Sequence, residues 1–276
     1  MGAAVKKILR KYFEVLKIFI RNETLAKFQY RGAMWADFIF FVMGYGTQFL
    51  LIYLMVGKFG TLGGWGRYEV MLLYSMSILT YTLACTFIRG AADNIPEKIR
   101  EGHFDQTLTK PMQPLGYEIV SSFSAYYLVH VALSVGMLMI SFRALGTQFN
   151  AIKAAMLVLA LIGGTMIQGG VLILFSSASF YLIGNNPLVY GVFVTLRMLN
   201  ENPVSIFPPF VQIFLTVVIP FAFVSFYPAQ YFLDKEDFLL FHPALQYLTP
   251  LVGVLVLVAS GAVWTYGVNR YQSSGS

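Results

Sequence analysis

Three histidines, one cysteine and thirteen acidic residues are all the material from which this 276-residue chain could build a reactive centre. Their spacing does not fit catalysis. There is no Gly-x-x-x-x-Gly-Lys-Ser/Thr loop, so no nucleotide is cradled by that route. There is no His-Glu-x-x-His zinc motif, and His103, His130 and His242 are far apart in the chain. Gly63-Gly64-Trp65-Gly66 lies in a short loop, not between a strand and a helix, and reads as a turn. Cys85 has no second cysteine to pair with and reads as a small apolar packing residue. The expectation is a chain with no catalytic residue, no metal and no cofactor bound by itself.

Two groups of residues remain that could do something other than pack. The first is "PEKIREGHFDQTLTKP", Pro96 to Pro111, a charged, proline-bracketed segment in an otherwise apolar chain. Asn94 can cap a helix with Pro96 near its start, and Glu97 suits the positive end of that helix. Gly102 is a natural stop, and Asp105 can cap a second short turn before Pro111. Ile99, Phe104 and Leu108 point one way only if the segment bends at Gly102. Two short helical pieces with a few apolar residues among Arg100, Glu101 and His103 suit a small protein–protein contact; the alternative is a solvated connecting loop. The second group is ionisable or polar and lies within apolar runs. Asp37 and His130 could bind a substrate or carry a proton. The competing roles are an interfacial site for Asp37 and a helix–helix hydrogen bond for His130. Tyr45, Gln48 and Phe214 complete the candidate substrate path, although aromatic residues in such runs are commonly core or interface belt.

The elements that must position these groups follow from composition. The chain is 57% hydrophobic and 12% charged, against about 25% charged in soluble domains. Residues 154–196, 203–233 and 238–269 contain no Asp, Glu, Lys or Arg. A membrane helix needs roughly 20 apolar residues, and a barrel would need alternating strands instead of continuous runs. The fold class is therefore all-α: a polytopic membrane protein with six transmembrane helices. The spans are expected at 33–56, 68–88, 119–142, 154–183, 204–226 and 247–268, with the fourth running past the membrane and Gly184-Asn-Asn-Pro187 breaking it. In "NPVSIFPPFVQIFLTVVIPFAFVSFYPAQYFL", Asn202-Pro203 opens the fifth span, Pro220 kinks it and Tyr227-Pro228 ends it. An external loop over 227–246 follows, with stretches apolar enough to dip back into the membrane.

Fourteen of the nineteen Lys and Arg residues fall before the first span, between the second and third, between the fourth and fifth, or after the sixth; five fall on the other side. Both termini and the Pro96–Pro111 segment are therefore expected to be cytoplasmic. The formal charge of +6 is explained by this bias and calls for no nucleic acid. Residues 1–32 form an amphipathic interfacial helix. Val5, Ile8, Leu9, Tyr12, Phe13, Leu16, Phe19 and Ile20 fall within about 140° of arc, opposite Lys6, Lys7, Arg10, Lys11, Lys17 and Arg21. It lacks the continuous apolar core and cleavage site of a signal peptide. Gly163, Gly164, Gly169, Gly170, Gly253, Gly261 and the Ala160-x-x-x-Gly164 pair are expected to let helices approach closely. The domain reading is thus 1–32, then 33–268 with a cytoplasmic segment at 93–115, then a tail at 269–276 that reads in part as a cloning remnant.

These features together resemble the permeases of type-2 ATP-binding-cassette (ABC) exporters, a bacterial six-span branch. "EGHFDQTLTKPMQPL" is similar to that branch's Gly-x-Leu/Phe-Asp-x-x-Leu-x-x-Pro segment at Gly102, Phe104, Asp105, Leu108 and Pro111. "NPVSIFP…VIPFAFVSFYPA" is similar to its second signature at Pro203, Ile206, Phe207, Pro220, Phe223, Tyr227, Pro228 and Ala229, with Asn202 where Tyr is usual. The resemblance implies a coupling helix carried by Glu97, Ile99, Arg100, Glu101, Gly102, His103, Phe104, Asp105 and Leu108, seated in a groove of an ATPase. It implies two separate ABC ATPase subunits that bind ATP and Mg, a second permease that is identical or a sister chain, and a bacterial plasma (inner) membrane location. The implied activity is export of an amphiphilic or lipid-like substrate by alternating access. An ion-coupled secondary transporter and a membrane-embedded lipid-processing enzyme are the competing readings.

Overall fold

The computed structural model describes residues 2–29, 31–181 and 187–272. Among these residues the chain is helix and turn, with one isolated bridge between Leu62 and Trp65. The helices are α1 (Gly2–Gln29), α2 (Arg31–Phe59), α3 (Arg67–Arg100), α4 (Phe104–Leu108), α5 (Pro114–Ser121), α6 (Tyr127–Leu145), α7 (Ala151–Ser177), α8 (Pro187–Leu199), α9 (Pro209–Ile213), α10 (Phe226–Leu233) and α11 (Thr249–Arg270). Five of them, α2, α3, α6, α7 and α11, are long and apolar enough to cross a membrane. The Gly184-Asn-Asn part of the expected breaker and the last four residues of the tail lie outside the described residues.

Helix α3 is the centre of the bundle. Its most apolar stretch is 78% buried, against 11% for the corresponding stretch of α2, which lies at the edge. Two further helices close on it where side chains are smallest. A Cβ on Gly163 would meet the Thr249 carbonyl oxygen at 2.6 Å, and one on Gly253 would meet the Gly163 carbonyl oxygen at 2.6 Å. The expected glycines therefore do bring α7 and α11 into backbone contact. Gly164 and Gly169 make room on α7 for the Thr80 and Ile88 side chains of α3, whereas Gly261 faces open space. A buried polar layer crosses the same three-way contact. Gln168 Nε2 donates to the Ser77 carbonyl (3.0 Å) and to Thr80 Oγ1 (2.8 Å). Thr249 Oγ1 donates to the Phe223 carbonyl at 2.9 Å. In an apolar interior, these groups must be satisfied by protein.

Three expected boundaries are corrected. No helix starts at Asn94: α3 runs on through Pro96 to Arg100. Proline removes one helical hydrogen bond, but Ile95 is buried beside it and Lys98 is held by an ion pair, and these contacts outweigh that loss. The third span does not begin at 119. Helix α5 ends at Ser121, the serine-rich turn gives its Ser124 N–H to the Thr86 carbonyl (2.9 Å), and α6 begins at Tyr127.

The third correction concerns the expected fifth span at 204–226. Residues 209–218 and 221–233 form a pair of short helices bent by 78°. Tyr227-Pro228 stands at the start of α10, not at the end of a span, and the expected loop over 227–246 opens with that mostly buried helix. Both ends of the pair meet the α2–α3 turn. Ile206 packs on Gly63, whose added Cβ would lie 2.6 Å from it, and Lys235 Nζ donates to the Gly64 carbonyl at 2.8 Å. The pair is thus a hairpin that leaves and returns to one end of the bundle. Between its arms, Ser225 reaches inward to Asn200.

Candidate functional site

The segment following α3 is built as a rigid knob. The α3 helix ends with the Glu101 N–H on the Glu97 carbonyl (2.9 Å), and Gly102 turns the chain at φ +72°, a left-handed angle that favours glycine. The bend at Gly102 is therefore present. Helix α4 starts from His103, with Asp105 inside its first turn rather than at the expected capping position. Helix α5 then returns antiparallel and supplies the residue that closes the knob. Glu118 is fully buried, and its carboxylate accepts from Lys98 Nζ at 2.8 Å on both oxygens and from Thr107 Oγ1 at 2.7 Å. One carboxylate thus ties α3, α4 and α5 together through charge-assisted hydrogen bonds.

The knob is also fixed to the bundle. Phe104 is fully buried, with its ring 5.3 Å from Phe180, 5.2 Å from Tyr271 and 6.1 Å from Trp264. It therefore links α4 to the end of α7 and the end of α11. Burial, with the Asp105 charge added to it, holds the Tyr271 hydroxyl above its usual range. On the opposite side, α1 touches the strip that follows α4. Lys11 Nζ donates to the Pro111 carbonyl, and the Gln113 N–H donates to Tyr12 Oη at 3.2 Å.

The residues expected to meet a partner divide by this geometry. Glu97, Arg100, Glu101 and His103 lie on the outer face, with Arg100 Nη2 3.6 Å from Glu97, 3.4 Å from Glu101, and His103 Nδ1 3.4 Å from Glu101. Leu108 is exposed beside them, an apolar point in a charged rim. Gly102 and Asp105 are half-buried. Phe104 and, in part, Ile99 face the inner cluster, so the Phe104 side chain is not part of the outer face. Gln106 and Thr109, which sequence reasoning passed over, are exposed on it.

Within the bundle, Asp37, Phe41 and Tyr45 fall one turn apart on α2. Tyr45 Oη lies 2.9 Å from His130 Nδ1, and the Phe41 ring lies 3.7 Å from the imidazole. His130 thus makes the helix–helix hydrogen bond weighed for it, joining α2 to α6. Gln48 is exposed on α2, and Phe214 packs in the hairpin; neither joins that cluster. A second ionisable pair was not foreseen. Arg197 Nη1 lies 2.5 Å from Glu201 Oε1, with both side chains nearly buried (12% and 10% exposed), and the guanidinium sits 4.5 Å from the centre of the Tyr81 ring. Asn200, between them, donates to Ser77 Oγ (3.1 Å) and receives the Ser225 hydroxyl on its backbone carbonyl (3.0 Å). The signal was present as opposite charges at i and i+4 beside an apolar run, but Arg197 had been counted only for orientation.

A family model described as "ABC-2 family transporter protein" matches residues 42–275. The chain belongs to that family. No curated protein and no solved structure matches it. As an ABC-2 permease it is a multi-pass membrane protein of membrane transport, and the matched residues contain the knob, Tyr45 with His130, and the Arg197–Glu201 pair. The family's membrane component is typically non-catalytic.

Proposed function

We propose that this ABC-2 permease is the membrane half of an ATP-driven exporter, and that its knob is the handle by which separate ATPase subunits move it. The observation that carries this reading is the Glu118 closure: a fully buried carboxylate makes three short helical pieces one rigid body with a charged outer face. A loop serving only as a connection needs no such cost in desolvation. A rigid body welded through Phe104 to α7 and α11 transmits displacement instead of absorbing it. ATP and Mg act on two partner ATPases, and a second permease, identical or a sister chain, completes the pore. Both termini and the knob are cytoplasmic, in a bacterial plasma membrane, and α8 with residues 200–206 supplies the sixth crossing. The substrate is amphiphilic, and the half-buried aromatic and polar groups around Tyr45 and Arg197 line its path. The buried Arg197–Glu201 pair would also suit an ion-coupled carrier, which transport surviving ATP depletion would reveal.

The test is charge reversal at the outer face. Arg100 is 59% exposed, so Arg100→Glu should leave insertion and thermal stability intact while uncoupling ATP hydrolysis from transport in the reconstituted complex. Normal coupled transport by that variant would sink the assignment.

A further inference from the structure

Beside the knob lies an open groove of about 890 Å³, walled on one side by Lys11 and Tyr12 of α1 and on the other by the strip from Pro111 to Ile119. We propose that this groove is a binding site for one anionic phospholipid of the adjoining leaflet, and that the bound lipid clamps α1 to the knob. This rests on the interfacial placement of α1 and not on the ATP-driven reading.

Three features carry the assignment. The first is wall chemistry. Met112, Pro114, Leu115 and Ile119 line the groove, with Leu115 and Ile119 one turn apart on the same side of α5. Such a wall takes an acyl chain; a free phosphate ion would gain nothing from it. The second is charge complementarity. Among the described residues, Lys11 is the one charged residue that lines the groove, and none of them lines it with a carboxylate. Its ammonium now donates to a neutral acceptor, the exposed Pro111 carbonyl, and a phosphate would be the stronger partner. The third is fixed geometry. Gly116 lies so close to Tyr12 that a Cβ there would sit 2.6 Å from the ring, and the Gln113 N–H donates to the Tyr12 hydroxyl. These two contacts join the walls along one edge and fix the spacing of the groove. Two residues beyond Gly116 stands Glu118, the closure of the knob. A lipid that bridges α1 and the 111–116 strip therefore stiffens the segment that Glu118 organises.

The experiment is native mass spectrometry of the full chain, purified in mild detergent and titrated with phosphatidylglycerol or phosphatidylcholine carrying identical acyl chains. One phosphatidylglycerol should be retained per chain, about fivefold more tightly than phosphatidylcholine, the preference expected from a single basic residue near the headgroup. Lys11→Gln should abolish the preference. Leu115→Trp, which fills the groove, should reduce retention of both lipids. Lys17→Gln changes the same helix outside the groove and should leave the preference unchanged. Equal retention of the two lipids by the parent chain would overturn the proposal. So would a Lys17→Gln loss as large as the Lys11→Gln loss, which would mean diffuse attraction to α1. No ATPase enters the measurement, so its failure and the failure of the ATP-driven reading are separable.

Discussion

Replacing Glu118 by Gln keeps the size of the side chain and removes its charge. The parent carboxylate accepts Lys98 Nζ on both oxygens at 2.8 Å and Thr107 Oγ1 at 2.7 Å, and it is fully buried. Removing one partner of a buried ion pair costs about 3–5 kcal/mol. Lys98, however, is 31% exposed and regains part of its hydration, and Gln still accepts from Thr107. The expected cost of opening the knob is therefore about 2–3 kcal/mol, or roughly 30- to 150-fold in the local opening equilibrium. Hydrogen exchange reads this directly at three amides of α4 and its flanks: Gln106 on the His103 carbonyl (3.1 Å), Thr109 on Asp105 (3.2 Å) and Lys110 on Thr107 (3.2 Å). Their protection should fall by that factor, while amides of α7 and α11 keep theirs. A double-mutant cycle of Glu118→Leu with Lys98→Met should return a coupling energy of about 1–3 kcal/mol. Unchanged protection in Glu118→Gln, or a cycle that sums to zero, would show that the carboxylate is not what holds the knob together.

Three other perturbations separate packing from electrostatics. Gly253→Val puts a branched side chain where even a Cβ lies 2.6 Å from the Gly163 carbonyl; it should destabilise by about 1–3 kcal/mol or more by thermal melting, with Gly261→Ala, which faces open space, as the silent control. Arg197→Met leaves the Glu201 carboxylate buried without its partner and should cost about 3–5 kcal/mol, most of it recovered when Glu201→Gln is added; equal losses in the single and double variants would refute the pairing. The Tyr271 hydroxyl is held above its usual range, first by burial and then by Asp105. Its neutral form is favoured by the fold, so its contribution is complete below the unfolded value of about 10 and is lost as pH rises above it. Tyr271→Phe should flatten that alkaline loss in melting temperature.

What could be read in the sequence was what local chemistry decides. The left-handed angle at Gly102 favours glycine, so the bend was visible as a single letter. The uncharged runs fixed α7 and α11, and their glycines marked the seam where the two backbones meet. The basic face of α1 was legible from periodicity alone. The errors fall where distant partners decide. Nothing near Pro96 reveals that Ile95 will be buried and Lys98 held by a residue twenty positions away, yet those contacts carry α3 through the proline. Hydropathy cannot separate an apolar segment that crosses from one that returns. Pro220 looked like a kink within a span, and only Ile206 on Gly63 and Lys235 on Gly64 show that both arms of the hairpin reach one end.

The division within the knob has the same cause and bears most on function. Phe104 and Leu108 are both apolar residues in a charged segment, and by type either could meet a partner. The fold separates them, turning Phe104 inward among Phe180, Trp264 and Tyr271 and leaving Leu108 outside. The segment thereby acquires two faces of different chemistry. The inner face is aromatic and anchored to α7 and α11; the outer face is charged and available. In the proposed coupling role, a push on the outer face would reach α11 through the rings packed around Phe104, with little side-chain freedom to absorb it. That transmission needs the two faces to remain one body, and Glu118, which lies outside the conspicuous Pro96–Pro111 stretch, is the residue that keeps them so.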